Sequence, residues 1–331
     1  MTSDDFEVLV AGGGIGGLTA GLFAVRSGRR TGLLLGDDIG GGHLLSVGRI
    51  EDFPGFPEGV PGFDLCPMLQ EQAQDAGVEF VTSTLKGLES AEKASEGASG
   101  GGWTATTGDG EVRAGAVIVA TGSALRELGV PGESRLRGHG VSDCATCDGP
   151  LHRGKTVAVV GGGDSALLEA LELTNHVGKV LLLNRGESLD GQQTYVSRVL
   201  EHASIEVRHS TVVEEVLGDT VVSGVRVKDT GSGETTDEEV TGIFVYVGLR
   251  PRTEVLRDWL TLDGDDRVPT DGSMRTALPG VFAAGDIRTD SASQAITAAG
   301  DGATAALAAH RYLADPGRAW PVPPTLRGAS A

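Results

Sequence analysis

The stretch Phe6-Glu7-Val8-Leu9-Val10-Ala11-Gly12-Gly13-Gly14-Ile15-Gly16-Gly17, continued by Leu18 to Ser27, decides the fold. Phe6 to Ala11 reads as a short buried strand, the glycines as a turn, and Leu18 to Ser27 has helical spacing. Strand, G-x-G-x-x-G turn and helix in that order form the dinucleotide-binding fingerprint. Gly12 permits the tight turn, Gly14 lets a pyrophosphate approach the backbone, and Gly17 lets helix pack on strand. The helix N-terminus presents unpaired N–H groups to the phosphates. With 52 glycines in 331 residues, one such match would carry little weight.

A second match follows. Thr156 to Val160 is an apolar strand, Gly161-Gly162-Gly163-Asp164-Ser165-Ala166 is a G-x-G-x-x-A turn, and a helix (Leu167 to Thr174) and strand (Val180 to Leu183) come next. After the first unit, strands around Leu85–Ser90, Trp103–Thr107 and Glu111–Ala120 form a meander, with Ala91 to Gly102 as a solvated hairpin loop. After the second, the meander recurs near Val212–Val216, Val221–Asp229 and Glu238–Val247. Each half ends in an apolar strand closed by glycine, Val117–Gly122 and Ile243–Gly248. The expected fold is α/β: two related Rossmann-like three-layer ββα dinucleotide-binding domains, each with a β-meander. A third signal is the strand Gly280 to Ala284 delivering Gly285-Asp286, with a helix from about Ala292 to Leu313. Asp286 there can bond a ribityl or ribose hydroxyl, or simply cap a helix.

Composition narrows the partners. A net charge of −19 argues against a nucleic-acid backbone or an anionic membrane surface. The glycines have no G-X-Y period, which excludes collagen. The uncharged run Val8 to Val25 holds six glycines behind an acidic stretch, unlike a signal peptide or membrane span. A cytoplasmic location is expected, and three cysteines fit it.

Cys144-Ala145-Thr146-Cys147-Asp148 lies between the two fingerprints. A C-x-x-C pair is a candidate redox dithiol that takes up two electrons and exchanges with other disulfides. Asp148 could hold or deliver the proton that exchange needs. A zinc site would recruit His139 and His152 but lacks a second C-x-x-C, so no metal is expected. Cys66, within Leu65 to Ala76, reads as a packed core thiol.

These motifs, in this order, resemble the low-molecular-weight thioredoxin reductases from about Phe6 to Leu313. The first fingerprint, Gly41-Gly42-His43-Leu44, Ile50-Glu51-Asp52-Phe53-Pro54-Gly55, Ala120-Thr121-Gly122, the cysteine segment to Gly149, the second fingerprint, Gly285-Asp286 and Gln294-Ala295-Ile296 carry the likeness. The larger glutathione-reductase-like enzymes place their cysteines soon after the first fingerprint, unlike this chain. The resemblance implies a discontinuous FAD-binding domain (1–121 and 248–315), an NAD(P)-binding-like domain (122–247) carrying the cysteines, and a Pro-rich tail (316–331). It implies FAD held by Gly12, Gly14, Gly17, Gly42, His43, Leu44, Asp52, Ala120, Thr121, Gly122, Gly285, Asp286, Gln294 and Ala295. Gly161, Gly163, Asp164, Ser165, Ala166 and Arg185 would meet NADPH or NADH. It further implies a homodimer, a domain rotation, Cys147 facing the flavin, Cys144 as interchange thiol, and Asp148 as acid–base residue. Electrons would pass from NAD(P)H through FAD and the cysteines to a thioredoxin-like protein or small-molecule disulfide.

One region departs from the family pattern. The family's basic run for the 2′-phosphate of NADPH is here Asn184-Arg185-Gly186-Glu187-Ser188-Leu189-Asp190, and Ser293 replaces an arginine. One arginine among acids suits a dianionic phosphate poorly. NADH use with Asn184 or Glu187 on ribose hydroxyls, weak NADPH use, and no pyridine nucleotide all remain open. The last would make the chain an oxygen-dependent dithiol oxidase or a ferredoxin-fed reductase. The tail Asp315 to Ala331 reads as a surface tail, or as a segment whose Trp320 covers the flavin or nicotinamide face.

Overall fold

The computed structural model describes residues 5–36, 40–91, 102–315 and 320. The chain forms two compact units. The first comprises Met1–Leu45, Ile50–Ala124 and Pro251–Ala331; the second comprises Ser46–Arg49 and Leu125–Arg250.

The first stretch carries β1 (Asp5–Ala11), α1 (Ile15–Arg26), β2 (Thr31–Leu34), α2 (Gly62–Asp75), β3 (Glu79–Val81), β4 (Leu85–Ala91), β5 (Gly102–Thr107) and β6 (Glu111–Val119). β7 (Ser123–Leu125) leads out of it. The second unit then holds α3 (Glu133–Leu136), β8 (Val141–Ser142), α4 (Ala145–Asp148), β9 (Thr156–Val160), α5 (Asp164–Leu173) and β10 (Lys179–Leu183). It continues with α6 (Gln193–Glu201), β11 (Ile205–Arg208), β12 (Thr211–Leu217), β13 (Gly224–Asp229), β14 (Thr235–Glu238) and β15 (Ile243–Val245). β16 (Leu249–Pro251) leads back, and β17 (Val281–Ala283) and α7 (Ala295–Ala314) complete the first unit.

In the first unit one seven-stranded sheet runs β3-β2-β1-β6-β5-β4, with β17 also on β6. β6 has two roles along its length. Its start pairs antiparallel with β5, Thr106 opposite Glu111, and its end pairs parallel with β17, Val119 opposite Ala283. Val8 and Val10 of β1 pack toward α1 and α7, while Leu9 and Ala11 join the opposite cluster with Trp103 and Leu256. Both faces of the strand are thus covered, which is why it reads as an apolar run without alternation.

The second unit repeats the parallel part as a five-stranded sheet, β11-β10-β9-β15-β8. Its meander differs from expectation. Glu238–Val247 is not one strand: β14 ends the three-stranded sheet β12-β13-β14, and β15 begins in the parallel sheet. The break falls where Thr241 N–H donates to the Thr156 carbonyl and a Cβ on Gly242 would lie 2.6 Å from the His152 ring, so the chain is held against β9 there. Val221–Asp229 likewise pairs only from Gly224. α7 starts at Ala295 rather than near Ala292, because Asp290 and Ser293 have left-handed backbones (φ 59° and 52°). The expected hairpin loop of Ala91 to Gly102 lies outside the described residues except at its two ends. Among the described residues no helix is long and apolar enough to cross a membrane.

Candidate active site

The first glycine turn follows β1, and each glycine has a separate steric reason. Gly12 has φ +119°, and a Cβ there would lie 2.2 Å from the Ala120 carbonyl oxygen. A Cβ on Gly17 would lie 1.8 Å from the Gly12 oxygen, whereas around Gly14 nothing stands within 4 Å. The turn is closed by packing at Gly12 and Gly17 and open at Gly14. That is the shape a pyrophosphate seated on backbone N–H groups requires, so these residues fit the dinucleotide that the fingerprint implies.

The other residues expected around it come from the carboxyl ends of adjacent parallel strands, where such folds bind ligands. Gly41 N–H donates to the Gly13 carbonyl at 2.7 Å, setting Gly42, His43 and Leu44, in the 3-10 turn Gly42–Ser46, beside Gly14. Cys66 underlies this turn: it is 1% exposed, its thiol reaches the Gly41 carbonyl at 3.6 Å, and burial pushes its pKa up to about 11. It is a core thiol. Ala120 packs on Gly12, the Thr121 hydroxyl donates to the Arg252 carbonyl at 2.6 Å, and Gly122 accepts the Arg252 N–H. Asp52 is exposed on the loop between the bridged residues Ile50 and Val60.

After β17, Gly285 has φ +77° and its N–H donates to Asp301 Oδ2, which also binds Arg288. Asp286 lies in the short turn Gly285–Ile287 and accepts the Ser123 hydroxyl at 2.8 Å, so it does not cap α7. Gln294 is the residue before that helix and Ala295 its first. Trp320 is far from this end. Its ring stands edge-on to Phe282 (5.4 Å) and Tyr312 (5.2 Å), and its N–H donates to the Thr276 carbonyl at 2.9 Å. Tyr312 is roughly 25 Å along α7 from Ala295. The expectation that Trp320 covers the flavin face is therefore corrected: it buries an apolar surface at the opposite end of the helix.

In the second unit, Cys144 and Cys147 are joined by a disulfide, with Cα atoms 5.3 Å apart. Cys144 ends an extended segment and Cys147 lies within α4, a single turn, so the two-residue spacing brings the sulfurs together. The turn is braced by Ser142 Oγ accepting the Cys144 N–H (3.1 Å) and by Cys147 N–H on Cys144 Sγ (3.2 Å). Cys144 is 8% exposed and Cys147 is exposed. Asp148, partly buried, closes the turn with its N–H on the Cys144 carbonyl. Burial lowers the pKa of His152, and the Asp148 charge opposes that shift. The His152 ring is engaged with Thr241 Oγ1 at 2.9 Å and edge-on to Phe244. Among the described residues, the Thr146 hydroxyl is the one buried side-chain polar atom without a hydrogen-bond partner.

The second glycine turn is built like the first but is more crowded. Gly161 has φ +144°, with the Tyr246 carbonyl 2.3 Å from where a Cβ would stand, and Ala166 packs beneath it. Asp164, the first residue of α5, accepts the Gln192 N–H at 2.6 Å, and Ser165 is exposed. The Asn184 amide is buried and spent on its own loop, donating to the carbonyls of Gly186 (3.2 Å) and Ser188 (2.8 Å). It is therefore not placed to receive a ribose hydroxyl. Asp190 Oδ1 comes within 3.2 Å of a Cβ position on Gly162 and 3.8 Å of that on Gly163, so this acid lies against the phosphate turn itself. Arg185 and Glu187 are exposed.

Sequence reasoning missed Glu169 and Tyr246. Glu169 is 6% exposed, and its Oε2 accepts both the Ala145 N–H (3.1 Å) and the Tyr246 hydroxyl (3.2 Å). A signal existed: Glu169 is the lone acid on the α5 stripe of Ala166, Ala170 and Leu173, all buried.

Residues 6–302 match the family model described as pyridine nucleotide-disulphide oxidoreductase. The thioredoxin reductase of Treponema pallidum is 38% identical over 309 residues, covering 93% of this chain and 97% of that protein. That of Mycolicibacterium smegmatis is 39% identical, with 93% and 97% covered. Among solved structures, Lactococcus lactis thioredoxin reductase superposes with a TM-score of 0.88 at 35% identity, covering 94% of this chain and 99% of that one.

Proposed function

The chain belongs to the pyridine nucleotide-disulphide oxidoreductase family, among its low-molecular-weight thioredoxin reductases, and on that premise we propose that it reduces a disulfide in a thioredoxin-like protein through Cys144 and Cys147. Membership makes it an oxidoreductase that uses FAD and a pyridine nucleotide. The observation that carries the reading is the Cys144–Cys147 disulfide, formed in a chain that retains both glycine turns.

In this reading the first unit is the FAD domain. Gly12, Gly14 and Gly17 seat the pyrophosphate, Gly42, His43, Leu44 and Asp52 line the same cradle, and Ala120, Thr121 and Gly122 close it. Gly285, Asp286, Gln294 and Ala295 approach from the α7 side. FAD, when bound, supplies the two-electron link between the nucleotide and the disulfide. Two electrons and two protons convert Cys144–Cys147 to the dithiol. Attack by one thiolate on the partner's disulfide then releases the partner as a dithiol and re-forms the pair. Asp148 holds the proton exchanged at the pair. The family likeness assigns the attack to Cys144. Cys147→Ser should then trap a mixed disulfide with an oxidised thioredoxin, and trapping by Cys144→Ser instead would reverse the roles. By the same likeness the protein is a homodimer, which static light scattering of the purified chain tests, and its composition and three cysteines suit the cytoplasm, which cell fractionation tests.

A second reading rests on Asp190. A carboxylate against Gly162 and Gly163 opposes the pyrophosphate that NADPH and NADH share, which favours a donor without one: ferredoxin, or a small-molecule dithiol oxidised at the expense of oxygen. Anaerobic stopped-flow absorbance of the flavin with NADPH, NADH and a dithiol in turn separates these. Fast bleaching by NADPH supports the reductase. Bleaching by dithiol alone, reversed by air, supports the oxidase.

A further inference from the structure

Behind the redox turn lies a carboxylate that the reaction above leaves unused. Glu169 projects from α5, and its Oε2 receives two donors, the N–H of Ala145 and the hydroxyl of Tyr246. Ala145 follows Cys144 directly and is fully buried. Tyr246 follows β15, and its carbonyl packs on Gly161. One buried oxygen thus ties the backbone of the cysteine turn to the strand end behind the second glycine turn.

Resting on the reading that Cys144–Cys147 cycles between disulfide and dithiol, we propose that Glu169 is a positioning residue that sets the acidity of the reduced pair, its ionised form opposing a thiolate on the adjoining cysteine and its neutral form admitting one. Reduction breaks the S–S bond, takes two electrons from the enzyme's own reductant and binds two protons from solvent. A thiolate appears when one of those protons leaves again. Since the thiolate is the nucleophile, whatever charge lies behind the turn governs how much of it is present. Two negative charges in a poorly solvated region repel far more strongly than in water, so the carboxylate and the thiolate titrate as a linked pair.

The setting of Glu169 gives it the means to change charge. Burial pushes its carboxyl up to about 7, against the two hydrogen bonds that favour the charged form; Glu172, one turn further along α5, adds to the rise. Glu172 is itself paired with His176 at 3.3 Å. Burial and the adjoining Glu169 carboxyl hold the Tyr246 hydroxyl protonated, with Asp143, ahead of the cysteine turn, acting the same way. At the other end of the turn stand Asp148 and the buried His152, whose pKa is lowered by burial.

Alkylation tests this. The FAD-loaded enzyme, reduced with excess dithiol, is treated with iodoacetamide from about pH 5 to about pH 9, and the rate at each cysteine is read by mass spectrometry. The wild type should show a thiol profile with a second, lower inflection that follows Glu169. Glu169→Gln should remove that inflection and raise the rate near neutral pH by roughly 3- to 10-fold. Tyr246→Phe keeps the carboxylate but removes a donor to its charged form, so the lower inflection should move to higher pH. That variant also serves if Glu169→Gln does not fold. Profiles of unchanged shape and midpoint in the variants overturn the assignment. If neither cysteine gains reactivity on reduction, the disulfide-cycling reading falls first, and this inference falls with it.

Discussion

The carbonyl oxygen of Gly12 and the α-carbon of Gly17 stand so close that a Cβ on Gly17 would reach that oxygen at 1.8 Å. Helix α1 is seated on its strand through this contact, whereas Gly14, two residues after Gly12, faces open space. The two positions should therefore fail differently. Gly17→Ala must displace backbone and is expected to cost roughly 3 kcal/mol or more of stability, seen in thermal unfolding. Gly14→Ala should leave the unfolding of the FAD-free protein nearly unchanged and lower FAD affinity by at least about tenfold, read from flavin absorbance after dialysis.

Trp320 meets Phe282 and Tyr312 edge-on and gives its N–H to Thr276. Trp320→Ala should lose about 2 to 4 kcal/mol in a urea titration, since the ring and a hydrogen bond are removed from a packed surface. The rate of flavin reduction should not change. A variant that reduces its flavin faster would return Trp320 to the role of a cover.

Asp190 against Gly162 predicts a gain by substitution. Asp190→Asn should lower the KM for NADPH about 3-fold and Asp190→Arg about 10-fold or more, with the arginine effect shrinking as salt rises. Steady-state kinetics with NADPH and NADH at two ionic strengths checks this. Unchanged KM values would separate the nucleotide from Asp190 and remove the observation on which the second reading rests.

The raised pKa of Glu169 carries a sign for stability. The unfolded chain releases this proton near the ordinary value of 4.5, and the folded chain holds it to about 7. Between those pH values the folded state binds the extra proton, so this group makes stability fall as pH rises through the window. Glu169→Gln, which keeps an acceptor for Ala145, should therefore gain on the parent progressively from about pH 4.5 to about pH 7, by up to about 3 kcal/mol. Urea midpoints measured at both ends of the window test it.

The glycine turns and the cysteine turn were legible because their chemistry is local: backbone angle, close approach and two-residue spacing are properties of a short segment. The register of the meander was not. Glu238 to Val247 looks like one strand, and only the seating of Gly242 against His152 turns it into two. The place of Asp190 is half-legible: its charge is in the sequence and it is exposed like Arg185 and Glu187, but its approach to Gly162 depends on how Asn184 folds the loop. Glu169 is not legible because an acid on a helix is ordinarily solvated, and its burial follows from packing between α5, the cysteine turn and Tyr246. The seat of Trp320 is hidden for the same reason: its partners Phe282 and Tyr312 become neighbours only when α7 lies on β17.

The strand β6 belongs to both kinds of pairing at once, whereas the second unit divides the same work between β14 and β15. Backbone hydrogen bonds therefore run unbroken through the first unit's meander into its parallel strands. In the second, β12 to β14 meet the parallel sheet by one backbone bond, Thr211 N–H to the Asn184 carbonyl, and otherwise through side chains, with Val213, Val216 and Val225 against Ala158 and Leu181. The duplicated halves have unequal mechanical continuity. Amide protons of the second meander should exchange with solvent as a separate cooperative group, while those of β5 wait for the opening of β1 and β6.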